Sequence, residues 1–259
     1  GLTSIPITAV RARKNVTSNF GIDVPGVQSQ MNLSGRTQRY TANALTHARI
    51  IERAATDPGV SNWFIVLEDD ADVHPGAPEA WSQGGSEFRA FLLDIFRAAA
   101  RRGMEQVHLG YCFPLFRKPR KRALSCFKLQ GKINGPSSLA SCTIHSACAT
   151  AYAMTRARAR RVTAALHTLR AGSTDCPSGL WGGSRCGQDP IVLFEYLKAC
   201  TRETQHTCSA LYAGFGWIYK DGTGLSGKQE GIFVQNRTKF GSTLLVKRNF
   251  GHKLVSLEE

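Results

Sequence analysis

Long apolar runs are missing from this 259-residue chain: the longest strongly apolar stretch, Trp63 to Leu67, falls far short of the ~20 residues a membrane-spanning helix needs. No transmembrane segment is expected. No charged-then-apolar leader opens the chain, and a start at Gly1 is what a trimmed or processed product would show. Several signatures of catalytic and cofactor sites are absent as well. There is no complete G-x-x-x-x-G-K-[ST] phosphate loop and no dinucleotide-type glycine fingerprint directly after a strand. There is no G-x-S-x-G nucleophile elbow, which argues against a serine hydrolase, and no C-x-x-C pair, which argues against structural zinc. Internal repeats, low-complexity segments and linkers of domain-separating length are missing too, so residues 1–259 read as a single domain. Acidic residues are scarce: 19 Asp and Glu stand against 33 Lys and Arg, a net charge of +14 that suits phosphate, acidic glycan or membrane-surface partners.

What remains is an ordinary globular composition, 42% hydrophobic and 20% charged, with enough chain to build a core unaided by metals or bridges. The eight cysteines, at 112, 126, 142, 148, 176, 186, 200 and 208, therefore need another reason. An even count fits disulfides in an oxidising compartment. Three glycosylation sequons, beginning at Asn15, Asn32 and Asn236, point the same way. Together they place the expected protein in the secretory lumen, Golgi or endoplasmic reticulum, or outside the cell. Cys176 with Cys186 and Cys200 with Cys208 each bracket a short loop and are the expected pairs.

Hydrophobic periodicity organises the chain. Ile5 to Val10 reads as a short strand, and Ala42, Leu45, Ala48, Ile50 and Ile51 recur at helical spacing from Arg36 until Asp57-Pro58-Gly59 stops them. Trp63 to Leu67 is a continuous apolar run, the pattern of a strand buried on both faces. A helix follows from about Glu87 to Arg102 with Gly103 as its stop, then a strand from Glu105 to Gly110. Phe113 to Ser141 reads as loop and carries the basic run Arg117 to Arg122. That run comes without a recognisable binding module, so no nucleic-acid partner is expected. Thr150 to Met154 reads as a strand entering a helix capped by Thr155, whose Arg156, Arg158, Arg160 and Arg161 would form a solvated face. Asp189-Pro190 opens another helix, and late strands fall near Ala210 to Tyr212 and Gly231 to Gln235. Strands alternating with helices argue for an α/β fold, a mostly parallel sheet flanked by helices.

The strand at Trp63 runs straight into Glu68-Asp69-Asp70-Ala71-Asp72. Such a cluster at the carboxyl end of a strand lies where open α/β sheets bind ligands. Four carboxylates in five residues repel one another and call for a compensating positive charge. A divalent cation with oxygen ligands supplies it directly; a polar turn neutralised by lysine or arginine is the alternative. Strand geometry continued through this stretch would set Glu68, Asp70 and Asp72 on one side.

The neighbouring residues narrow the choice. Thr46-His47-Ala48 on a helix, followed by Trp63 to Leu67 and Glu68-Asp69-Asp70, resembles the serine-histidine helix, hydrophobic strand and Glu-Asp-Asp motif of glycosyltransferase family 25, which includes lipooligosaccharide and collagen galactosyltransferases. The resemblance continues, in the family's order, through Ala149 to Ala159, Gln188-Asp189-Pro190, Phe233 to Arg237 and Ser242-Thr243. It implies a GT-A fold and a metal-dependent transfer of a hexose, galactose or glucose, from a UDP-sugar to a hydroxyl of a glycan or glycoprotein acceptor. Mn²⁺ would be held through Glu68, Asp70 and Asp72 and by the donor diphosphate. The family's usual first strand has no clear copy here: it is lost, or Ile5 to Val10 with Arg11 and Arg13 is a diverged version. A non-catalytic nucleotide- or glycan-binding protein on the same scaffold is the second reading.

Each remaining candidate has a plainer alternative. His47 is a buried hydrogen-bonded histidine or a neighbour of the substrate cleft, and Tyr152 is a core aromatic or a stacking surface for sugar or base. Arg237, with Lys239, neutralises the diphosphate or is solvated surface charge. Asp189 is a helix cap with proline at the first helical position, or the base that deprotonates the acceptor. One substitution separates the last pair. Asparagine caps as well as aspartate but accepts no proton at neutral pH, so Asp189→Asn is expected to lower transfer by about 10²-fold or more with donor affinity nearly unchanged. Transfer within a few-fold of the parent, measured by product formation, would leave Asp189 a cap.

Overall fold

The computed structural model describes residues 2–8, 35–82, 85–110, 126–128, 137–142, 150–170, 202–204, 207–215, 231–235 and 251–257. In chain order the elements are β1 (Leu2–Thr8), α1 (Gly35–Thr56), β2 (Trp63–Leu67), β3 (Ala71–Val73) and the single turn α2 (Glu79–Ser82). Next come α3 (Ser86–Ala100), β4 (Gln106–Gly110), β5 (Cys126–Lys128), β6 (Ser137–Cys142), β7 (Ala151–Thr155) and α4 (Arg156–Arg170). The remaining strands are β8 (Arg202–Thr204), β9 (Thr207–Phe215), β10 (Phe233–Gln235) and β11 (Gly251–Leu257).

Helices and strands mix as expected for an α/β chain, but the mostly parallel sheet is not what forms. The main sheet runs β1-β11-β2-β7-β4-β9-β6-β5, with β8 added on β9, and β10-β3 forms a separate pair. Among the described strand pairs only β4 with β9 is parallel. The reason lies in β7. Strands β2 and β4, joined through α3, do point the same way, yet β7 lies between them and pairs antiparallel with both. Burial on both faces gives β2 its continuous apolar run whichever way its neighbour points, so the run carries no information about direction. At the rim, β1 pairs antiparallel with β11 and carries Pro6 opposite Lys253. The strand read at Ile5–Val10 therefore exists, beginning three residues earlier at Leu2, as the terminal strand of the described sheet.

The segment read as loop between Phe113 and Ser141 contains the antiparallel pair β5–β6. β5 is too short for alternation to be read, and β6, Ser-Ser-Leu-Ala-Ser-Cys, carries Leu139 as its one large apolar residue. The basic run 117–122, the sequons at Asn15, Asn32 and Asn236, and Cys176, Cys186 and Cys200 lie outside the described residues, as does the helix expected at Asp189.

Two layers pack on the sheet. Trp63 and Ile65 of β2, Val107 and Leu109 of β4 and Ala151 and Ala153 of β7 join Phe88, Phe91, Leu92, Ile95 and Phe96 of α3 in one core. Trp63 stacks on Phe96 with centroids 4.8 Å apart and rings 5° from parallel. The alternate residues, among them Phe64, Val66 and Tyr152, are buried on the opposite face, the one that α1 covers. Local signals end the helices where expected. Gly103, at φ +65°, closes α3 in a Schellman motif: its N–H donates to Ala100 O and that of Met104 to Ala99 O. Thr155 caps α4 by accepting from the Arg158 N–H at 3.1 Å.

The arginine face of α4 is only partly solvated. Arg158 is buried, Arg160 reaches across to donate to Ala55 O near the end of α1, and Arg161 pairs with Glu105. α4 packs on α1, and that contact takes up part of the arginine face.

One crossing sets the position of the small sheet. A Cβ on Gly231 would lie 2.7 Å from Leu109 O, 2.9 Å from Gly110 Cα and 2.9 Å from Phe233 O. Every one of those atoms is backbone, so nothing can swing aside. Gly231→Ala is expected to lose about 1–3 kcal/mol through overpacking, read by urea denaturation at unchanged slope. Stability equal to the parent would show that the crossing relaxes freely.

Candidate functional site

β2 and β4 end at the same edge of the sheet, on either side of the start of β7. At that edge the chain leaves β2 and turns at once. The Glu68 N–H donates to Thr150 O at 3.0 Å, and the Ala71 N–H donates back to Glu68 O at 3.1 Å, closing a β-turn over Asp69 and Asp70. Strand geometry thus stops at Leu67, and Glu68, Asp70 and Asp72 do not line one side as continued pleating would require. The turn relieves what an extended strand would impose, three like charges in a row.

Each carboxylate has its own surroundings. Glu68, with 13% of its side chain exposed, faces α1 and places Oε1 3.8 Å from His47 Nε2. Asp70 is 2% exposed. Asp72 accepts the Val73 N–H on Oδ1 at 2.9 Å, and β3 holds it opposite Val234 of β10. The fourth member, Asp69, is the one whose carboxyl is pushed above its ordinary pKa, first by burial and further by the neighbouring Glu68 charge, against hydrogen bonds from the Asp69 and Asp70 backbone.

His47 is fully buried on the stripe of α1 that also carries Ile50, Ile51 and Ala54. Its Nδ1 lies 3.1 Å from the hydroxyl of Tyr152, itself fully buried at the centre of β7. A hydroxyl that donates to Nδ1 would leave the ring proton on Nε2, toward Glu68. At 3.8 Å the Nε2–Oε1 approach is electrostatic rather than a hydrogen bond. Tyr152, His47 and Glu68 thus form a chain from the middle of the sheet to the acidic turn. His47 is buried and hydrogen-bonded, and it stands beside the acidic cluster. Tyr152 is a core residue whose polar tip orients that histidine.

Three contributors to the site were not singled out from sequence. His108 is buried on β4 opposite Tyr152, its place marked by the alternation Gln106-Val107-His108-Leu109-Gly110. Thr150 supplies the carbonyl that anchors the turn, and Gly231 brings β10 over the end of β4. Backbone contacts of that kind leave no residue-type signal. Asp189 and Arg237 lie outside the described residues.

Among the described residues no group of three or more His, Cys, Asp and Glu side chains is gathered to hold a metal ion. The described residues by themselves do not make a protein cage. One or two hard carboxylate oxygens at a turn are instead the donor set that a small divalent cation takes when substrate phosphates complete its shell. Of the three carboxylates expected as ligands, Asp70 is buried, Asp72 accepts the Val73 N–H and Glu68 lies beside His47. Among the described residues no helix is long and apolar enough to cross a membrane. Comparison with protein-family models, with curated proteins and with solved structures finds no match. The chemistry of the site rests on its own residues.

The Tyr152–His47 contact is testable by a double-mutant cycle. Tyr152→Phe leaves a buried ring nitrogen without its hydroxyl and is expected to cost about 1–3 kcal/mol. In a His47→Phe background the same change should cost much less, giving a coupling of about 0.5–3 kcal/mol by denaturant unfolding. Additive effects would show that the two side chains do not interact.

Proposed function

We propose that the chain is a glycosyltransferase of the GT-A kind that moves a hexose from a UDP-sugar to a hydroxyl of a glycan or glycoprotein acceptor, using a divalent cation such as Mn²⁺. The observation that carries the reading is the acidic turn at the carboxyl end of β2, backed by the buried Tyr152–His47–Glu68 chain. The motif order from Thr46-His47 to Phe233-Val234-Gln235-Asn236-Arg237 supports it.

In this reading Asp70 and Asp72 would hold the cation together with the donor phosphates, and it would supply positive charge opposite the departing nucleoside diphosphate. Glu68 stays beside His47, whose ring is fixed by Tyr152, so the turn keeps one geometry while the leaving group departs. Arg237 adds positive charge near the diphosphate. Asp189 accepts the proton of the acceptor hydroxyl as that oxygen bonds to the anomeric carbon and the sugar–phosphate bond breaks, an inverting displacement. A net charge of +14 favours the approach of an anionic donor.

Asp70→Asn keeps the shape of the buried side chain and removes its charge. It is expected to weaken Mn²⁺-dependent UDP binding at least tenfold, measured by isothermal titration, with a melting temperature close to that of the parent. Equal UDP affinity in both proteins would overturn the metal assignment. UDP-sugar binding with no donor hydrolysis and no transfer to any acceptor would leave a non-catalytic binder.

A further inference from the structure

The small antiparallel pair at the far end of the sheet brings two cysteines into register. Cys126 of β5 stands directly opposite Cys142 of β6, followed by Phe127 opposite Ser141 and Lys128 opposite Ala140. Directly opposed residues of an antiparallel ladder have Cα atoms about 4.5 or 5.5 Å apart, according to the kind of pair. Both spacings fall within the roughly 4.4–6.8 Å that a disulfide bridges. A third cysteine shares this part of the sheet. Cys142 is opposite Ala210 of β9, so Cys208, two residues along, occupies a diagonal position on the same face. Diagonal neighbours are about 7–8 Å apart, beyond disulfide range. Cys208 itself stands opposite Glu203 of β8. Among the described cysteines the register therefore favours Cys126 over Cys208 as the partner of Cys142.

We propose that Cys126 and Cys142 form a cross-strand disulfide that fastens β5 to the sheet. β5 is three residues long and comes last in the strand order, with β6 as its neighbour. So few ladder bonds hold such a strand weakly, and a covalent link closes the loop between residues 126 and 142 in the unfolded chain. In forming the bond each thiol gives up one proton and one electron. A sulfur–sulfur bond is made, and the two electrons and two protons pass to an oxidant of the disulfide class, which is cleaved to two thiols. The proposal does not depend on the glycosyltransferase reading, and it adds a pair chosen by strand register to the loop-bracketing pairs Cys176–Cys186 and Cys200–Cys208, with which it shares no cysteine.

The test uses the full chain purified reduced, then equilibrated in a buffer of glutathione and glutathione disulfide, quenched in acid, alkylated and mapped by mass spectrometry without reduction. The expected result is a dominant linked peptide pair containing Cys126 and Cys142. In Cys126→Ser, Cys142 should become alkylatable while the state of Cys208 is unchanged. Free thiols at both positions, a Cys142–Cys208 linkage or a near-statistical mixture of pairs would overturn the proposal. The map of the unsubstituted chain decides the question even if the variant fails to fold.

Discussion

Everything at the candidate site depends on β7 occupying the slot between β2 and β4. By pairing antiparallel with both, it fills the hydrogen bonds of two strands that run the same way and leaves their carboxyl ends flanking its own first residues. Thr150 can then hold the acidic turn from below through one backbone bond. The same strand carries Tyr152 into the middle of the helix-covered face, where a single hydroxyl orients the histidine of α1. A side chain from a helix, another from a central strand and a turn at the strand edge are thus tied together without any of them lying close in sequence.

The energetics of that arrangement are those of buried polar groups rather than of surface charge. His47 and Tyr152 are fully enclosed, and Asp70 nearly so. Groups this deep are tolerated because each has partners, and removal of one partner leaves the desolvation cost of the other unmet. The hydrophobic side of the sheet, with Trp63 laid flat on Phe96, is a conventional core by comparison and supplies the rigidity against which the polar side is held.

How much of this was legible in the chain follows from the range over which each signal acts. Periodicity and stop residues located α1, β2, α3, β4, β7 and the start of α4, because apolar stripes, Gly103 and the Thr155 cap are all local. Direction was not legible, since a strand buried on both faces looks the same beside a parallel or an antiparallel neighbour. The acidic cluster was plain, but its geometry was not: whether Glu68 to Asp72 continues as a strand or folds into a turn is decided by Thr150, some 80 residues away in sequence. His47 and Tyr152 could each be named, but the bond between them spans 105 residues and leaves no mark on the residues adjoining either. The contact of Gly231 with Leu109 and Gly110 likewise comes from the approach of two backbones.

Pro6 bears on how the sheet meets its surroundings. It sits within β1, the terminal strand, whose inner side is taken up by β11. Proline brings no N–H, so β1 lacks one backbone donor partway along its length, and proline within sheets is confined to edge strands, strand starts and bulges. Proline in the terminal described strand is one of the devices by which sheet edges avoid serving as templates for edge-to-edge association, a protection written into the main chain rather than into any charge on the surface.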